Sequence, residues 1–186
     1  KMKNYWQNAV TFDEYIKETE RRIEVQNPED EHNEYYELGL QRMNRTLKTY
    51  KVDEEQLETL KSKNFNGKIL IITEPWCGDA SATVPAVSKF FEGHNEVRIF
   101  YRDSDTSLID QFLTNGTQSI PKILILNEDF SLKNVWGPRP QYGTELLKKF
   151  KENPETYPRE EFYNDLQVYY AKNKGKDAIQ EILELL

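Results

Sequence analysis

Lys68-Ile69-Leu70-Ile71-Ile72-Thr73-Glu74-Pro75-Trp76-Cys77-Gly78-Asp79-Ala80 changes its periodicity halfway along, and that change decides the fold. Ile69 to Ile72 is an unbroken apolar run, short enough for a strand buried on both faces. Asp79 to Glu92 reads as a helix, which puts Cys77, the only cysteine, at a strand-to-helix turn. The first amides of a helix carry partial positive charge, which favours thiolate over thiol. Asp79 opposes this with a carboxylate. The helix effect is worth ~0.3–1 kcal/mol when exposed, so the sequence leaves the balance open. Asp79 reads equally well as a favourable first-turn acid.

Outward from this turn, Val97 to Tyr101 is a second strand, and a right-handed crossover makes the two strands parallel. Ser107 to Leu113 reads as a short helix ended by Asn115-Gly116. Lys122 to Leu126 is a third strand, joined through Asn127-Glu128-Asp129 to a fourth, Leu132 to Trp136, in a hairpin. Three helices precede the cysteine turn. The first has the capping-box pair Thr11 and Glu14 and stops at Asn27-Pro28. The second covers Asn33 to Tyr50, with Tyr36, Leu40, Met43 and Leu47 on one face, and the third starts at Asp53. Helices at Thr144 to Lys151, Arg159 to Lys172 and Asp177 to Leu186 finish the chain. The last bears Ile179, Ile182, Leu183 and Leu186 on one face, a stripe suited to its own core. The expected class is α/β, a four-stranded mixed sheet flanked by helices. Residues 67–153 form its core, and helical extensions at 1–66 and 154–186 pack on it as one globular unit.

A net charge of −7 argues against a nucleic-acid partner, which would need clustered Lys and Arg. One cysteine cannot form an internal disulfide. No apolar stretch is long enough for a membrane span, and Lys1 to Trp6 lacks the apolar segment of a signal peptide, so the cytoplasm is the expected location. His32 and His94 stand far apart without ligand-spaced neighbours, so neither a metal nor a cofactor is expected. His94, at the far end of the helix that follows Cys77, is a poor base for that thiol. Glu74 and Asp79 could assist proton transfer, although exposed carboxylates usually do not. The run Glu29-Asp30-Glu31 reads as a solvated loop, and Arg139 as a cation that could attract an anion.

Trp76-Cys77-Gly78-Asp79-Ala80 resembles the Trp-Cys-Gly-Pro-Cys site of thioredoxins, and three further matches follow in order. Pro85 lies where that family kinks its active-site helix. Ile120-Pro121 is similar to the Ile-Pro pair whose proline is cis and faces the thiol. Gly137 matches the glycine beside the site. The resemblance spans about Lys68 to Lys151 and implies a thioredoxin-like fold. It also implies a site of Cys77 with Trp76, Gly78, Asp79, Ile120, Pro121 and Gly137, where backbone before Pro121 could pair with an extended substrate segment. Trp76 could shield the thiol and offer a flat surface to a partner, or simply pack.

Two departures bear on function. Ala80 replaces the second cysteine, and Ile71 stands where the family places a buried aspartate. The expected activity is therefore monothiol thiol–disulfide exchange through Cys77. Its partner would be a protein or small-molecule thiol or disulfide, with glutathione or another small thiol as resolver. The competing expectation is a non-catalytic module that binds extended peptides. Peroxide reduction is disfavoured, because related peroxidase sites place Thr or Ser where Glu74 stands.

Overall fold

The computed structural model describes residues 1–186. The apolar runs form β1 (Lys68–Thr73), β2 (Val97–Tyr101), β3 (Lys122–Leu126) and β4 (Leu132–Trp136), in the spatial order β2-β1-β3-β4. β1 and β2 are parallel, with Ile71 opposite Ile99. β3 is antiparallel to both β1 and β4. This is the four-stranded mixed sheet expected from the sequence.

Why Ile69–Ile72 of β1 and Ile123–Leu126 of β3 are apolar at consecutive positions becomes plain from the two faces. Ile69, Ile71, Ile99, Ile123 and Ile125 join one buried cluster, whereas Leu70, Ile72, Phe100, Leu124 and Leu126 join another. The period-two alternation of a strand sorts neighbouring residues to opposite sides, and here both sides are covered.

The first face lies under most of the helices: α2 (Phe12–Val25), α3 (Asn33–Thr49), α4 (Glu54–Lys63), α5 (Gly78–Phe91) and α8 (Lys176–Leu183). Tyr15, Met43, Leu60, Val84, Ile179 and Ile182 fill it. The stripe on α8 thus packs against its own core, beside α4 and α5. α6 (Gln141–Glu152) and α7 (Arg159–Asn173) enclose a smaller cluster of Tyr157, Phe162, Leu166 and Tyr170. The capping box on α2 is complete, with the Glu14 amide donating to Thr11 Oγ1 at 3.2 Å and the Thr11 amide to Glu14 Oε1 at 2.9 Å. No helix is long and apolar enough to cross a membrane.

The second face departs from expectation. It is covered by α1 (Met2–Gln7), which brings in Trp6, and by the segment carrying Leu108 and Ile109. Local pattern does not reveal α1, because six residues gain too little from helix propensity and depend on burial of Trp6. Ser107 to Leu113 is no helix but a bend with one 3₁₀ turn at Ile109–Gln111. Asp105 ties the Ser107 amide and hydroxyl at 3.0 and 2.6 Å, and the loop lays Leu108 and Ile109 on the sheet. α6 begins at Gln141, earlier than Thr144, because Glu181 of α8 accepts the Gln141 amide at 2.9 Å. That carboxylate caps the helix from another part of the chain. Val10 pairs with Ile99 through two backbone bonds of 2.8 and 2.7 Å and so covers the outer edge of β2.

Candidate functional site

β1 delivers the chain to the turn Glu74–Trp76, and α5 begins immediately after Cys77, whose extended backbone makes it the N-cap. The thiol donates to the Ile120 carbonyl at 3.4 Å. The Ile120–Pro121 peptide that follows is cis, as is Gly137–Pro138. Gly137 holds a φ of +122°, and a Cβ there would collide with the Pro121 carbonyl, so only glycine fits. Lys122, nearly buried, donates to the Gly137 carbonyl at 3.1 Å and to Thr114 Oγ1 at 2.6 Å, tying β3 to the end of β4. Cys77, Gly78, Asp79, Ile120, Pro121 and Gly137 are thus gathered at one end of the sheet. Trp76 packs with Ile120 in the second-face cluster.

The expected contest at the thiol was between helix amides and Asp79; burial outweighs both. The Cys77 thiol is pushed up from 9.0 to about 12, chiefly by burial and next by Asp79, against the Asp79 and Ala80 amides and Arg139. At rest the sulfur is a protonated donor to Ile120.

Asp79 is not an exposed first-turn acid. Its side chain is held by Arg139, with Nη2 to Oδ2 at 2.9 Å and Nε to Oδ1 at 3.2 Å, and by the Tyr170 hydroxyl at 2.5 Å. The anion met by Arg139 is therefore this carboxylate of its own chain. Burial beside Asp79 drives the Tyr170 phenol well above its usual value. Sequence reasoning missed Tyr170, and no local signal marks it, since it lies 91 positions from Asp79.

Glu74, also expected to be exposed, is only 3% accessible. It accepts the Asp103 amide at 2.9 Å and meets Arg22 at 3.5 Å, and burial raises its carboxyl. Arg22 also bonds Glu18 at 2.8 Å and the Tyr36 hydroxyl at 3.2 Å. Asp30, read as part of a solvated loop, accepts the Tyr36 hydroxyl at 2.6 Å. These groups line a cleft of about 640 Å³ beside Trp76. Trp76 itself is occupied: His32 stacks on it at 4.1 Å and 5°, and the Arg102 guanidinium lies over the ring at 5.1 Å. Its flat surface is spent inside the molecule. His94 follows the end of α5, away from the thiol, and no group of three His, Cys, Asp or Glu side chains could hold a metal ion.

Two helices outside the sheet close over the turn. Gly39 of α3 lies directly against the Pro75 carbonyl. Gln167 of α7 donates to the Gly78 carbonyl at 3.4 Å, and Arg42 of α3 reaches over the same glycine. The Cys77 side chain is half-buried, next to the glycine that both helices reach.

A family model described as thioredoxin matches residues 25–151. No curated protein matches the chain. Among solved structures, an HIV epitope scaffold is 16% identical with a TM-score of 0.67, over 98% of this chain and 94% of that one. A protein of unknown function from Pseudomonas aeruginosa is 17% identical with a TM-score of 0.57, over 95% and 91%. At such identities the likeness is one of fold.

Proposed function

The chain belongs to the thioredoxin family, and on that premise we propose that it carries out monothiol thiol–disulfide exchange through Cys77. The observation that carries this reading is the thiol placed against the Ile120 carbonyl, next to Pro121, in a chain with no second cysteine. Cys77, deprotonated, attacks a partner disulfide; a sulfur–sulfur bond forms, and the leaving thiolate departs and takes up a proton. An external thiol, glutathione or another small thiol, loses its proton and attacks the partner sulfur of the mixed disulfide; a new disulfide joins it to the partner, the bond to Cys77 breaks, and the Cys77 thiolate takes up the proton. Ala80 stands where an internal resolving sulfur would act, so the second step belongs to the external thiol.

The buried thiol makes this exchange slow at rest. Moving a thiol from 9.0 to about 12 leaves about a thousandfold less thiolate at neutral pH. The greater nucleophilicity of the more basic sulfur returns roughly 15- to 30-fold. A partner that strips the Ile120 hydrogen bond or brings positive charge raises the rate further.

The high position of the thiol also favours a second reading, a binding module that holds partners beside Cys77 without a covalent bond. One experiment separates the two. Partners are trapped on wild-type protein and on Cys77→Ser, then resolved with and without reductant. Exchange is expected to give reductant-sensitive adducts absent from Cys77→Ser. The same partners on both proteins, with no adduct, would overturn it in favour of the module.

A further inference from the structure

Four shielded arginines share one rule. Arg22, Arg98, Arg102 and Arg139 are all half-buried, and each lies within salt-bridge distance of a carboxylate. Arg42 is equally shielded and breaks it: its side chain makes no ion pair and no hydrogen bond. The positions three and four residues away along α3 are Leu38, Gly39, Arg45 and Thr46, none of them acidic. Burial and the like charge of Arg45 both lower the Arg42 guanidinium from its usual value. A partly desolvated guanidinium without a counter-ion is costly, and an anion that paired with it would offset that cost.

Its position says which kind. A Cβ built on Gly78 would stand 3.6 Å from Arg42 Nη1 and 3.1 Å from Gln167 Nε2, so both donors converge on the residue after Cys77. Gln167 has no acid three or four positions away either, its neighbours there being Tyr163, Asn164, Tyr170 and Ala171. The nearby Asp79 cannot neutralise the site, because its carboxylate is spent on Arg139 and Tyr170. One uncompensated positive charge therefore remains against Gly78, the residue after Cys77. Leu38 and Tyr163, four residues before each donor along their helices, stay exposed.

We propose that Arg42 and Gln167 form a carboxylate-binding subsite that anchors the disulfide or thiol reacting at Cys77. The proposal rests on the exchange reading for its chemistry, but the subsite can be tested apart from it. In exchange, the bound carboxylate stays intact while Cys77 displaces a thiolate from the neighbouring sulfur, and the departing thiolate takes up a proton.

Two measurements decide the matter. Dithiobisnitrobenzoate, which carries carboxylates, and uncharged dithiodipyridine are reacted with wild type, Arg42→Lys and Arg42→Gln. The ratio of anionic to neutral rate is expected to fall about tenfold in Arg42→Gln, the worth of one charge-assisted hydrogen bond, and less in Arg42→Lys. An unchanged ratio, or equal slowing with both reagents, would overturn the subsite. Reaction with neither reagent sinks the exchange reading, and the second measurement then decides alone. S-methylglutathione and an Asp-containing pentapeptide, neither able to exchange, are titrated while the Gly78 amide and Gln167 side-chain signals are followed by NMR. Shifts lost in Arg42→Gln support the subsite; S-methylglutathione alone assigns the carboxylate to small thiols, the peptide alone to protein segments. No shift, or a shift that persists in Arg42→Gln, overturns it. Arg42→Gln should unfold at or above the wild-type urea midpoint, whereas loss of a structural arginine would lower it.

Discussion

Cys77 is flanked by two buried carboxylates, Glu74 before it and Asp79 after it, and the two are held by different means. Asp79 sits in a bidentate pair with Arg139 and accepts the Tyr170 hydroxyl, so three polar atoms from α7 and the β4–α6 connection converge on it. Glu74 leans chiefly on one backbone amide, Asp103, with Arg22 at a looser 3.5 Å. Asp79 is among the groups that raise the thiol, whereas burial raises Glu74 itself. The Asp79 flank therefore adds to the effect of burial on the sulfur, and the Glu74 flank pins the end of β1 to the segment after β2. Two acids at similar distances along the chain have different roles because their partners differ.

The largest effect belongs to the thiol that both flanks enclose. The alkylation rate of Cys77 should climb about tenfold per pH unit from neutral to roughly pH 10 without levelling, since only thiolate reacts. A plateau near neutral pH would break the account of a buried, protonated sulfur.

Stability should then separate the flanks. Asp79→Asn weakens the Arg139 pair and is expected to lower unfolding free energy by about 2 kcal/mol in urea titration. Glu74→Gln keeps an acceptor for the Asp103 amide and removes a charge that burial disfavours. A carboxyl raised in the folded state stabilises below its unfolded value, and this is lost as pH rises through the folded value; at neutral pH the charge is a cost. Glu74→Gln should accordingly match wild type within about 0.5 kcal/mol or exceed it. Equal losses in the two variants would erase the distinction.

The smallest effect sharpens the electrostatic half of the comparison. Asp79→Asn should alkylate roughly three- to tenfold faster than wild type near pH 8, because a repelling charge is gone and Arg139 is released to favour thiolate. Glu74→Gln should stay within about twofold, as the cysteine's repulsion comes from Asp79. Acceleration in Glu74→Gln would place the controlling charge on the wrong flank.

Much of the fold was legible because strand signals are local. Ile69 to Ile72 and Ile123 to Leu126 are apolar at consecutive positions, and no tertiary knowledge is needed to see that they cross a two-sided core. Thr11 with Glu14, Asn33 and Asp53 marked helix starts that the structure keeps within a residue or so. The misses are elements stabilised from elsewhere: α1 depends on burial of Trp6, and the start of α6 on Glu181. At the site, the thiol turn and the proline and glycine beside it could be read from sequence. The states of Glu74, Asp79 and Arg139 could not, since each reads from sequence as facing solvent or an anion and each is satisfied within the chain, and sequence left open whether Trp76 packs or meets a partner.

The sequence by itself determined that a strand leads into a lone cysteine at a helix start, and that no second sulfur follows it. These are statements about neighbours along the chain, where periodicity and spacing carry the information. Tertiary structure alone decided that the sulfur is a protonated donor to Ile120, that Asp79 belongs to Arg139 and Tyr170, and that Arg42 has no counter-ion. Charge balance and burial depend on segments 60 and 91 positions away from Asp79. A shift of a few ångströms in α3 or α7 would change both without altering one residue around Cys77.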